Sequence, residues 1–346
     1  MRKKTIWIDI TILKINSNCG MAAFTQTYIK ILKNNYNIKY FSNPFYKNKF
    51  LGSKLYFIWL NTYFYLQTLL LKPDIIIYPC YIMPYFTRRN TKNYVVFHDL
   101  MPYRENFFGE KCKKSYLFKL NIAKEKSTKI ITVSNTVKKQ LIKEFNLLEN
   151  RIGITYNCVN DVIKYSKEDL NILNKLNLKS DNYIFSLAGS FKHKNIQELI
   201  TAINNIKEDI KLVVAGYKGH LQYSDSKISN KKIIYAGYIT TEEIIALYKN
   251  AKFFVLPSLE EGFGIPIIEA QYFKCPVLCS DIPVFREIAG NGAEFCIPNS
   301  NGIAAKLEYL INNGQRRQEL ISLGKENVKR FSIEKIARQL SDVLEN

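Results

Sequence analysis

The sequence contains few of the residues that bind metals or cross-link small secreted domains. Only three histidines, His98, His193 and His220, occur among 346 residues. The seven cysteines form no C-x-x-C pair and have no histidine at metal-ligand spacing. These absences exclude a zinc-finger or disulfide framework, and we interpret the cysteines as reduced, mostly buried thiols.

Targeting and membrane-spanning signals are also missing. The apolar run after the basic start MRKK is broken by Asp9 and Lys14 and lacks a small-residue cleavage site, so we predict no signal peptide and a cytoplasmic protein. The uncharged stretch at 55–71, LYFIWLNTYFYLQTLLL, is short for a bilayer and is interrupted by polar residues. It predicts a helix packed between a sheet and the surface, with an interfacial membrane contact through its aromatic residues as the alternative.

Acidic residues are scarce in the first half of the chain. Residues 1–180 contain 30 Lys and Arg against 11 Asp and Glu, whereas residues 181–346 contain 20 against 19. The first half therefore carries +19 of the net charge of +20. A basic half attracts polyanions, which are nucleic acid, an anionic membrane surface or an acidic substrate.

Short apolar runs alternate with longer helical segments along a chain that, at 346 residues and 47% hydrophobic, exceeds one ordinary core. In the first half the predicted strands are TIWIDI, IIIYP, YVVFHD and KIITVS. In the second half they are YIFSLAG, KLVVAG, KIIYAG, KFFVLP and PVLCS. The alternation predicts two doubly wound α/β domains, with a polar linker at 157–183 between them.

The stretch VLPSLEEGFGIPIIEA, at 255–270, combines a strand end, a glycine-containing turn and a helix start. Ligands of such sheets bind at the carboxyl ends of strands. Four N–H groups at the predicted helix start suit phosphate or sugar oxygens, namely those of Gly262, Phe263, Gly264 and Ile265. We expect Glu269 in the first turn of this helix, where its carboxylate could accept two hydrogen bonds from a ribose diol. Glu261 precedes the turn, on the side of a sugar attached to the phosphate.

The spacing of these glutamates resembles a known family signature. Glu261 and Glu269 form an E-x7-E pattern, which closely resembles that of the retaining GT-B glycosyltransferases of family 4, also called group 1. The resemblance continues through GYITTEEIIALYKNAKFFVLPS, PVLCSDIPVFREIAG and RFSIEKIARQL, and it covers nearly all of 183–346. It implies that Glu269 holds the nucleotide ribose, and that Glu261 and the amides of the turn contact the donor sugar and phosphate.

The same resemblance implies a domain organisation. In a GT-B fold, two Rossmann-like domains face each other across a cleft. The acceptor-binding domain is expected at 1–165 and the nucleotide-sugar-binding domain at 180–332, with a helix at about 333–346 packing back on the first. The donor base would be contacted around Gly237 and Tyr238, and both UDP and GDP fit the sequence.

A cation for the donor phosphates is expected in SLAGSFKHKNIQELI, where a predicted strand turns into a helix. Lys194 precedes Asn195, which we expect to cap that helix, so the ammonium could reach a diphosphate at the helix N-terminus. Ser190 belongs to the same expected donor site. The family usually carries a cationic pair here, and Lys192 or a neutral His193 are the candidates for its second member.

Two residues of the first domain are further site candidates. His98 ends the predicted strand YVVFHD, in the place of a His-Asp pair that the family has near the reacting sugar carbon. It could orient the sugar or share a proton. Gly20, in INSNCGMAAF, occupies the place of the family's glycine-rich loop and is the only glycine of that loop present here.

The reaction implied by the resemblance is hexosyl transfer with retention, from a nucleotide-diphospho-sugar to an acceptor hydroxyl. No D-x-D tripeptide occurs in the chain, so we expect neither a metal nor a permanently bound cofactor. The basic first half favours a lipid-linked saccharide or lipopolysaccharide acceptor at an anionic membrane. We therefore predict a peripheral enzyme on the inner face of the cell membrane, in bacterial surface-polysaccharide synthesis.

Two other classes of protein account for part of the pattern. A GT-B protein without transfer activity, either a nucleotide-sugar epimerase or a catalytically silent partner, would explain the reduced glycine loop. A nucleic-acid-binding protein would explain the charge. However, the sequence has no helix-turn-helix, zinc-finger or RNA-binding sheet motif, so we expect no nucleic acid partner.

Overall fold

The computed structural model describes residues 3–17, 19–48, 52–159, 161–187, 191–216 and 232–345, with the backbone alone at 105, 161 and 162. The chain divides into two units, one formed by Met1–Cys158 with Ile333–Asn346 and the other by Val159–Ser332. Each unit contains a parallel sheet of six strands among its described residues. This confirms the predicted two-domain α/β class.

The sheet of the first unit has the order β2-β1-β3-β4-β5-β6. Its strands are β1 (Thr5–Asp9), β2 (Asn37–Phe41), β3 (Ile75–Tyr78), β4 (Lys92–Phe97), β5 (Lys129–Thr132) and β6 (Ile152–Ile154). The strand order reverses between β1 and β3, as in flavodoxin-like sheets. The sequence did not predict β2 and β6, because β2 is a largely exposed edge strand and β6 has three residues.

The sheet of the second unit has the order β12-β11-β10-β7-β8-β9. Its strands are β7 (Tyr183–Leu187), β8 (Lys211–Ala215), β9 (Ile233–Gly237), β10 (Phe253–Leu256), β11 (Val277–Ser280) and β12 (Glu294–Cys296). Read from β9, this is the strand order of dinucleotide-binding Rossmann sheets, and it reverses between β7 and β10. Ligands of such sheets bind beyond the carboxyl ends of the strands at that reversal.

Helices connect the parallel strands in both units. In the first unit they are α1 (Thr11–Ile15), α2 (Gly20–Leu32), α3 (Gly52–Trp59), α4 (Tyr65–Leu71), α5 (Glu105–Lys126) and α6 (Asn135–Phe145). In the second they are α7 (Asp161–Tyr165), α8 (Asn171–Lys175), α9 (Ile196–Asn205), α10 (Thr241–Asn250), α11 (Ile265–Tyr272), α12 (Pro283–Ala289), α13 (Ser300–Asn312) and α14 (Gly314–Val328). The stretch predicted as a linker thus contains α7 and α8, which pack on α10.

The last helix, α15 (Ile333–Glu345), packs on β6 and α2 of the first unit. It is strongly amphipathic and buries Ile336, Leu340, Val343 and Leu344, because these side chains recur at helical spacing on one face. Gly153 in β6 allows the close approach, since a Cβ there would lie 2.6 Å from a methyl carbon of Val343.

The uncharged stretch at 55–71 forms a continuous helical segment, in which a π-helical turn, Leu60–Phe64, joins α3 to α4. One side of this segment packs on the sheet, where the ring centroids of Phe64 and Trp7 are 5.6 Å apart. Within the described ranges, no helix has both the length and the apolar character needed to cross a membrane.

The contact between β6 and α15 can be tested with Gly153→Ala. The new Cβ overlaps the buried Val343 side chain, so we expect the free energy of unfolding to fall by about 1–3 kcal/mol, as in overpacked cores. Urea unfolding followed by circular dichroism measures this change. Gly314→Ala is the matched control, because its Cβ would meet only an Arg317 nitrogen at 3.6 Å. An equal effect of the two substitutions would contradict the close packing.

Candidate functional site

An ion pair lies where the strand order of the second unit reverses. Lys194 closes a 3₁₀ turn, Lys192–Lys194, that follows β7, and Glu261 follows β10. Lys194 Nζ is 2.6 Å from Glu261 Oε1, and Ser258 Oγ donates to the same oxygen at 2.9 Å. The Glu261 side chain is only 11% exposed, so its charge depends on these two donors. The structure therefore brings together two of the residues that the sequence singled out.

Asn195 holds this arrangement in place. Its backbone is left-handed, with φ of 57°, and its side-chain Nδ2 donates to the carbonyl oxygens of Pro257 at 3.1 Å and Pro298 at 2.9 Å. The Leu259 N–H donates to the His193 carbonyl at 2.8 Å. The expected capping role of Asn195 is wrong, because its side chain accepts no N–H bond from α9 and instead connects the turn to the ends of β10 and β12.

His193 is not the second cation of this turn. Its ring is buried and stacks on Phe191, with ring centroids 5.6 Å apart. Burial, helped by the neighbouring Lys194 charge, lowers the His193 pKa to about 4, so the ring is neutral at physiological pH. Lys192 is exposed. Ser190 lies outside the described residues.

The turn at 262–265 leads into α11 as the sequence predicts. Gly264 precedes the helix with φ of 101°, a left-handed conformation that disfavours other residues, and a Cβ there would lie 2.9 Å from the Phe285 ring. Phe263 is buried against Phe331. Ile265 begins the helix, and Pro266 stands in its first turn, where the missing N–H is not needed. Within this first turn, the Ile267 N–H donates to the Gly264 carbonyl at 3.0 Å and Pro266 has no N–H, so the amides at the helix start that a bound anion could use are those of Gly264 and Ile265.

Glu269 lies in the second turn of α11, not in the first as expected, because the helix begins only at Ile265. Its carboxyl is buried, and Tyr248 Oη donates to Oε2 at 3.3 Å. Burial raises the Glu269 pKa to about 7, against a lowering effect of the Tyr248 hydrogen bond. A buried carboxylate in this position is not a surface charge at a helix end, and a ligand that donates hydrogen bonds would relieve its desolvation.

Gly237 and Tyr238 are the residues expected near the donor base, and they lie at the end of β9, with Gly237 as its last residue and Tyr238 directly after it. Gly237 has φ of 67°. Its carbonyl accepts a hydrogen bond from the N–H of Gly216, the residue that follows β8, at 2.8 Å. The Tyr238 side chain is exposed. Both residues therefore lie at the carboxyl edge of the same sheet as Lys194 and Glu261.

In the first unit, His98 directly follows β4 and is buried. Its Nε2 is 2.7 Å from the Pro79 carbonyl oxygen, so Nε2 carries the proton and donates it there. The ring meets Phe24 of α2 edge-on, with centroids 5.0 Å apart. Burial lowers the His98 pKa to about 4, although the Pro79 hydrogen bond opposes this. A neutral ring with Nε2–H engaged can accept a hydrogen bond at Nδ1, which suits orientation of a ligand better than proton donation.

Gly20 is the exposed first residue of α2, whose Phe24 contacts His98. Asp9 ends β1 beside the reversal of strand order in this unit, and it was not among the residues expected at a site. Its buried carboxylate accepts from the Thr11 N–H at 2.8 Å and from Tyr56 Oη at 2.6 Å, and burial raises its pKa. The signal was available, since an aspartate that closes a buried parallel strand lies at the ligand edge of the sheet.

Three supporting side chains were also not predicted in these roles. Tyr248 donates to Glu269, Ser258 donates to Glu261, and Asn195 holds the turn that carries Lys194. Tyr248 reads in the sequence as part of the apolar face of a helix, and only its packing beside α11 gives its hydroxyl a role. For metals, the described part of the chain contains no group of three or more His, Cys, Asp or Glu side chains that could hold an ion.

The family model and the curated relative that match this chain are both glycosyltransferases. Residues 169–327, within the second unit, match the family model for glycosyl transferases group 1. The chain is 28% identical over 256 residues to the O-antigen chain mannosyltransferase RfbU of Salmonella typhimurium. The matched region covers 72% of this chain and 68% of RfbU. These matches support a glycosyltransferase of this family.

Solved structures resemble the fold over almost the whole chain. The sucrose-phosphate synthase of Thermosynechococcus elongatus has a TM-score of 0.76 at 16% identity and covers 99% of this chain and 98% of its own. Anabaena Alr3699/HepE, in complex with UDP and glucose, has a TM-score of 0.73 at 15% identity and covers 99% and 100%. The likeness confirms the predicted GT-B fold class.

The raised Glu269 pKa predicts how stability depends on pH. The folded state binds this proton more tightly than the unfolded state, so the contribution to stability is full below about pH 4.5, is lost as pH rises through about 7, and changes no further above that. We expect Glu269→Gln, which cannot ionise, to remove this loss. Relative to wild type the variant should gain up to about 3 kcal/mol at alkaline pH, at about 1.4 kcal/mol per pKa unit.

Urea unfolding of both proteins across this pH range measures the difference. Glu326→Gln, at an exposed carboxylate of the same unit, is the matched control and should follow wild type. Parallel pH profiles for wild type and Glu269→Gln would contradict the burial of an ionisable Glu269.

Proposed function

We propose, from the match of residues 169–327 to the group 1 glycosyl transferases, that the protein transfers a hexose from a UDP- or GDP-sugar to an acceptor hydroxyl, with retention and without a metal. The acceptor is a lipid-linked saccharide or lipopolysaccharide in bacterial surface-polysaccharide synthesis. One observation carries the proposal: Lys194, Glu261 and the start of α11 converge where the Rossmann strand order reverses, with the buried Glu269 one turn further on.

Each group in this convergence suits a different part of the donor. The N–H groups of Gly264 and Ile265 at the start of α11 and the Lys194 ammonium bind the diphosphate, because amide dipoles and a cation stabilise its charge in a partly desolvated site. Glu269 accepts hydrogen bonds from the ribose hydroxyls, which replace the solvation that its carboxylate lacks. HepE, a structural neighbour, has been solved with UDP and glucose, which supports a nucleotide-sugar donor.

The chemistry needs stabilisation of the leaving group. The bond between the anomeric carbon and the phosphate oxygen breaks, and its electron pair leaves with the nucleoside diphosphate. A new bond forms from the acceptor oxygen to the anomeric carbon, and the hydroxyl proton passes to the phosphate oxygen that leaves. Lys194 stabilises the charge that develops on the diphosphate. The chain contains no D-x-D tripeptide, which supports a role for this lysine without a metal.

Glu261 competes with the donor for the same cation. Lys194 and Glu261 neutralise each other, with Nζ 2.6 Å from Oε1. A bound diphosphate shares or takes over the Lys194 ammonium, which leaves Glu261 available to accept hydrogen bonds from the donor sugar. Donor binding and positioning of Glu261 are therefore coupled. His98 contributes as a neutral hydrogen-bond acceptor that orients a bound sugar.

The acceptor class is supported by relatives and by charge. RfbU is an O-antigen chain mannosyltransferase, and O-antigen is a surface polysaccharide. The +19 of residues 1–180 favours an anionic environment for acceptor binding. We propose that the protein works as a peripheral enzyme at the inner face of the cell membrane, where lipid-linked acceptors are reached without a membrane-spanning helix.

Nucleotide binding tests the proposed donor site. In calorimetric titrations without metal, we expect either UDP or GDP to bind the wild-type protein. Glu269→Gln should weaken that binding by about 10- to 100-fold, because the ribose hydroxyls lose hydrogen bonds to a charged group. Affinity should also rise as pH passes about 7, because Glu269 then ionises. Glu326→Gln should bind like wild type. If no nucleotide bound, a catalytically silent GT-B partner would replace the proposed transferase.

Glu261→Gln tests the competition for Lys194. The released Lys194 ammonium should raise the affinity for the nucleoside diphosphate by a factor of about 2 to 5. This factor corresponds to the interaction free energy of a partly exposed ion pair. The corresponding nucleoside monophosphate, which lacks the second phosphate, should show a smaller change. Sugar transfer by the variant should fall, since Glu261 no longer positions the donor. Equal changes for monophosphate and diphosphate would argue against the competition.

A further inference from the structure

The helical segment α3–α4 exposes an apolar face that the first unit leaves uncovered. We call it the outer face, and it consists of Ile58, Tyr63, Leu66 and Leu70 on the helix and Tyr85 and Phe86 on an adjoining loop. Leu70 is 78% exposed, Leu66 57% and Phe86 52%. Single exposed apolar residues are ordinary, but six on one continuous surface mark an interaction site.

The π-helical turn sets the direction of this face. The buried residues of the segment are Tyr56, Leu60, Phe64 and Thr68, which repeat every four residues. A regular α-helix, with 3.6 residues per turn, would rotate such a row away from the sheet, and the wider π turn at 60–64 reduces the rotation. The segment can therefore keep one side on the sheet over its whole length and the outer face towards solvent.

Two polar residues of the segment, Thr62 and Asn61, form local hydrogen bonds. Thr62 Oγ1 donates to the Ile58 carbonyl at 2.9 Å, and Asn61 Nδ2 donates to the Phe57 carbonyl at 2.7 Å. Asn61 Oδ1 accepts from the N–H groups of Tyr85 at 2.7 Å and Phe86 at 3.0 Å. These bonds satisfy the polar atoms locally and attach the aromatic loop to the helix, so the loop and the helix form one surface.

The surroundings of the outer face are basic. Residues 10–98 contain eleven Lys and Arg and a single acidic residue, Asp74, whose carboxylate accepts from the Thr5 N–H. Lys54 and Lys72 flank the uncharged stretch at 55–71, and the Lys126 ammonium, which is 3.7 Å from Glu125 Oε2, lies 4.3 Å from the centre of the Tyr85 ring. An apolar surface with a lysine border has the character of interfacial helices that bind anionic lipids.

We propose that the outer face docks on an anionic membrane, with the α3–α4 segment lying along the headgroup region. Charge complementarity favours lipid over a second copy of this chain, because two identical basic borders would repel each other. Only the purpose of the docking rests on the proposed function, since docking would bring the enzyme to a lipid-linked acceptor. Membrane binding itself requires no sugar transfer.

Vesicle sedimentation of the full-length protein tests the docking. We expect wild type to sediment with vesicles of phosphatidylcholine and phosphatidylglycerol, to bind pure phosphatidylcholine vesicles less, and to be weakened by salt. Leu66→Glu with Leu70→Glu should reduce the partition onto anionic vesicles by about tenfold or more, since a charge replaces inserted apolar area. Both sites are exposed, so folding should be kept, and circular dichroism checks this.

Leu148→Glu is the matched control. Leu148 is 69% exposed in the same unit but lies outside the outer face, and this variant should bind vesicles like wild type. Trp59 supplies a second measurement, because it lies half-buried in α3 beside Tyr63, whereas Trp7 is buried. Its emission should shift to shorter wavelength with anionic vesicles, and Trp59→Phe should remove the shift.

Three results would overturn the docking: no vesicle binding by wild type, equal binding by the double variant, or a wild-type dimer in sedimentation velocity that the double variant converts to monomer. Nucleotide titration of the same double variant separates this inference from the proposed function. Unchanged nucleotide binding with lost vesicle binding supports both. Vesicle binding in a protein that binds no nucleotide would support the docking and reject the transferase.

Discussion

The contact between Lys194 and Glu261 is the constraint on which the candidate site depends. The two residues are far apart in the chain and meet at 2.6 Å because β7 and β10 are neighbours at the reversal of strand order. A partly buried pair of this kind is costly to separate unless another charge replaces one member. A diphosphate is such a replacement, and the start of α11 beside the pair supplies the amides that would bind it.

Burial decides the ionisation of one candidate residue in the first unit and two in the second. His98 and His193 are both buried and both have a pKa of about 4, so neither ring carries a charge near neutral pH. Glu269 has its pKa raised to about 7 for the same reason. The buried His193 ring therefore adds no positive charge to that of Lys194, and the second unit gains a carboxylate whose charge is favoured by a hydrogen-bonding ligand.

The two units use the same architecture for different surfaces. The second unit has nearly balanced charge and directs its functional groups to the carboxyl edge of a Rossmann sheet. The first unit carries most of the positive charge, and its α3–α4 segment buries one side on the sheet while leaving leucine and aromatic side chains in solvent. A surface helix of a globular protein normally exposes polar residues. The exposed apolar side chains of this segment therefore indicate contact with an apolar partner.

The sequence by itself determined the two α/β units, most of the strands, and the E-x7-E turn with its lysine, because buried parallel strands are continuous apolar runs and Gly-Phe-Gly-Ile-Pro marks a helix start. It did not predict β2, β6 or β12, which are short or exposed edges. Only the tertiary structure decided that Asn195 joins strand ends, that Tyr248 supports a buried Glu269, and that Tyr56 donates to Asp9. Hydrogen-bond partners and burial depend on residues distant in the chain, and local patterns carry no record of them.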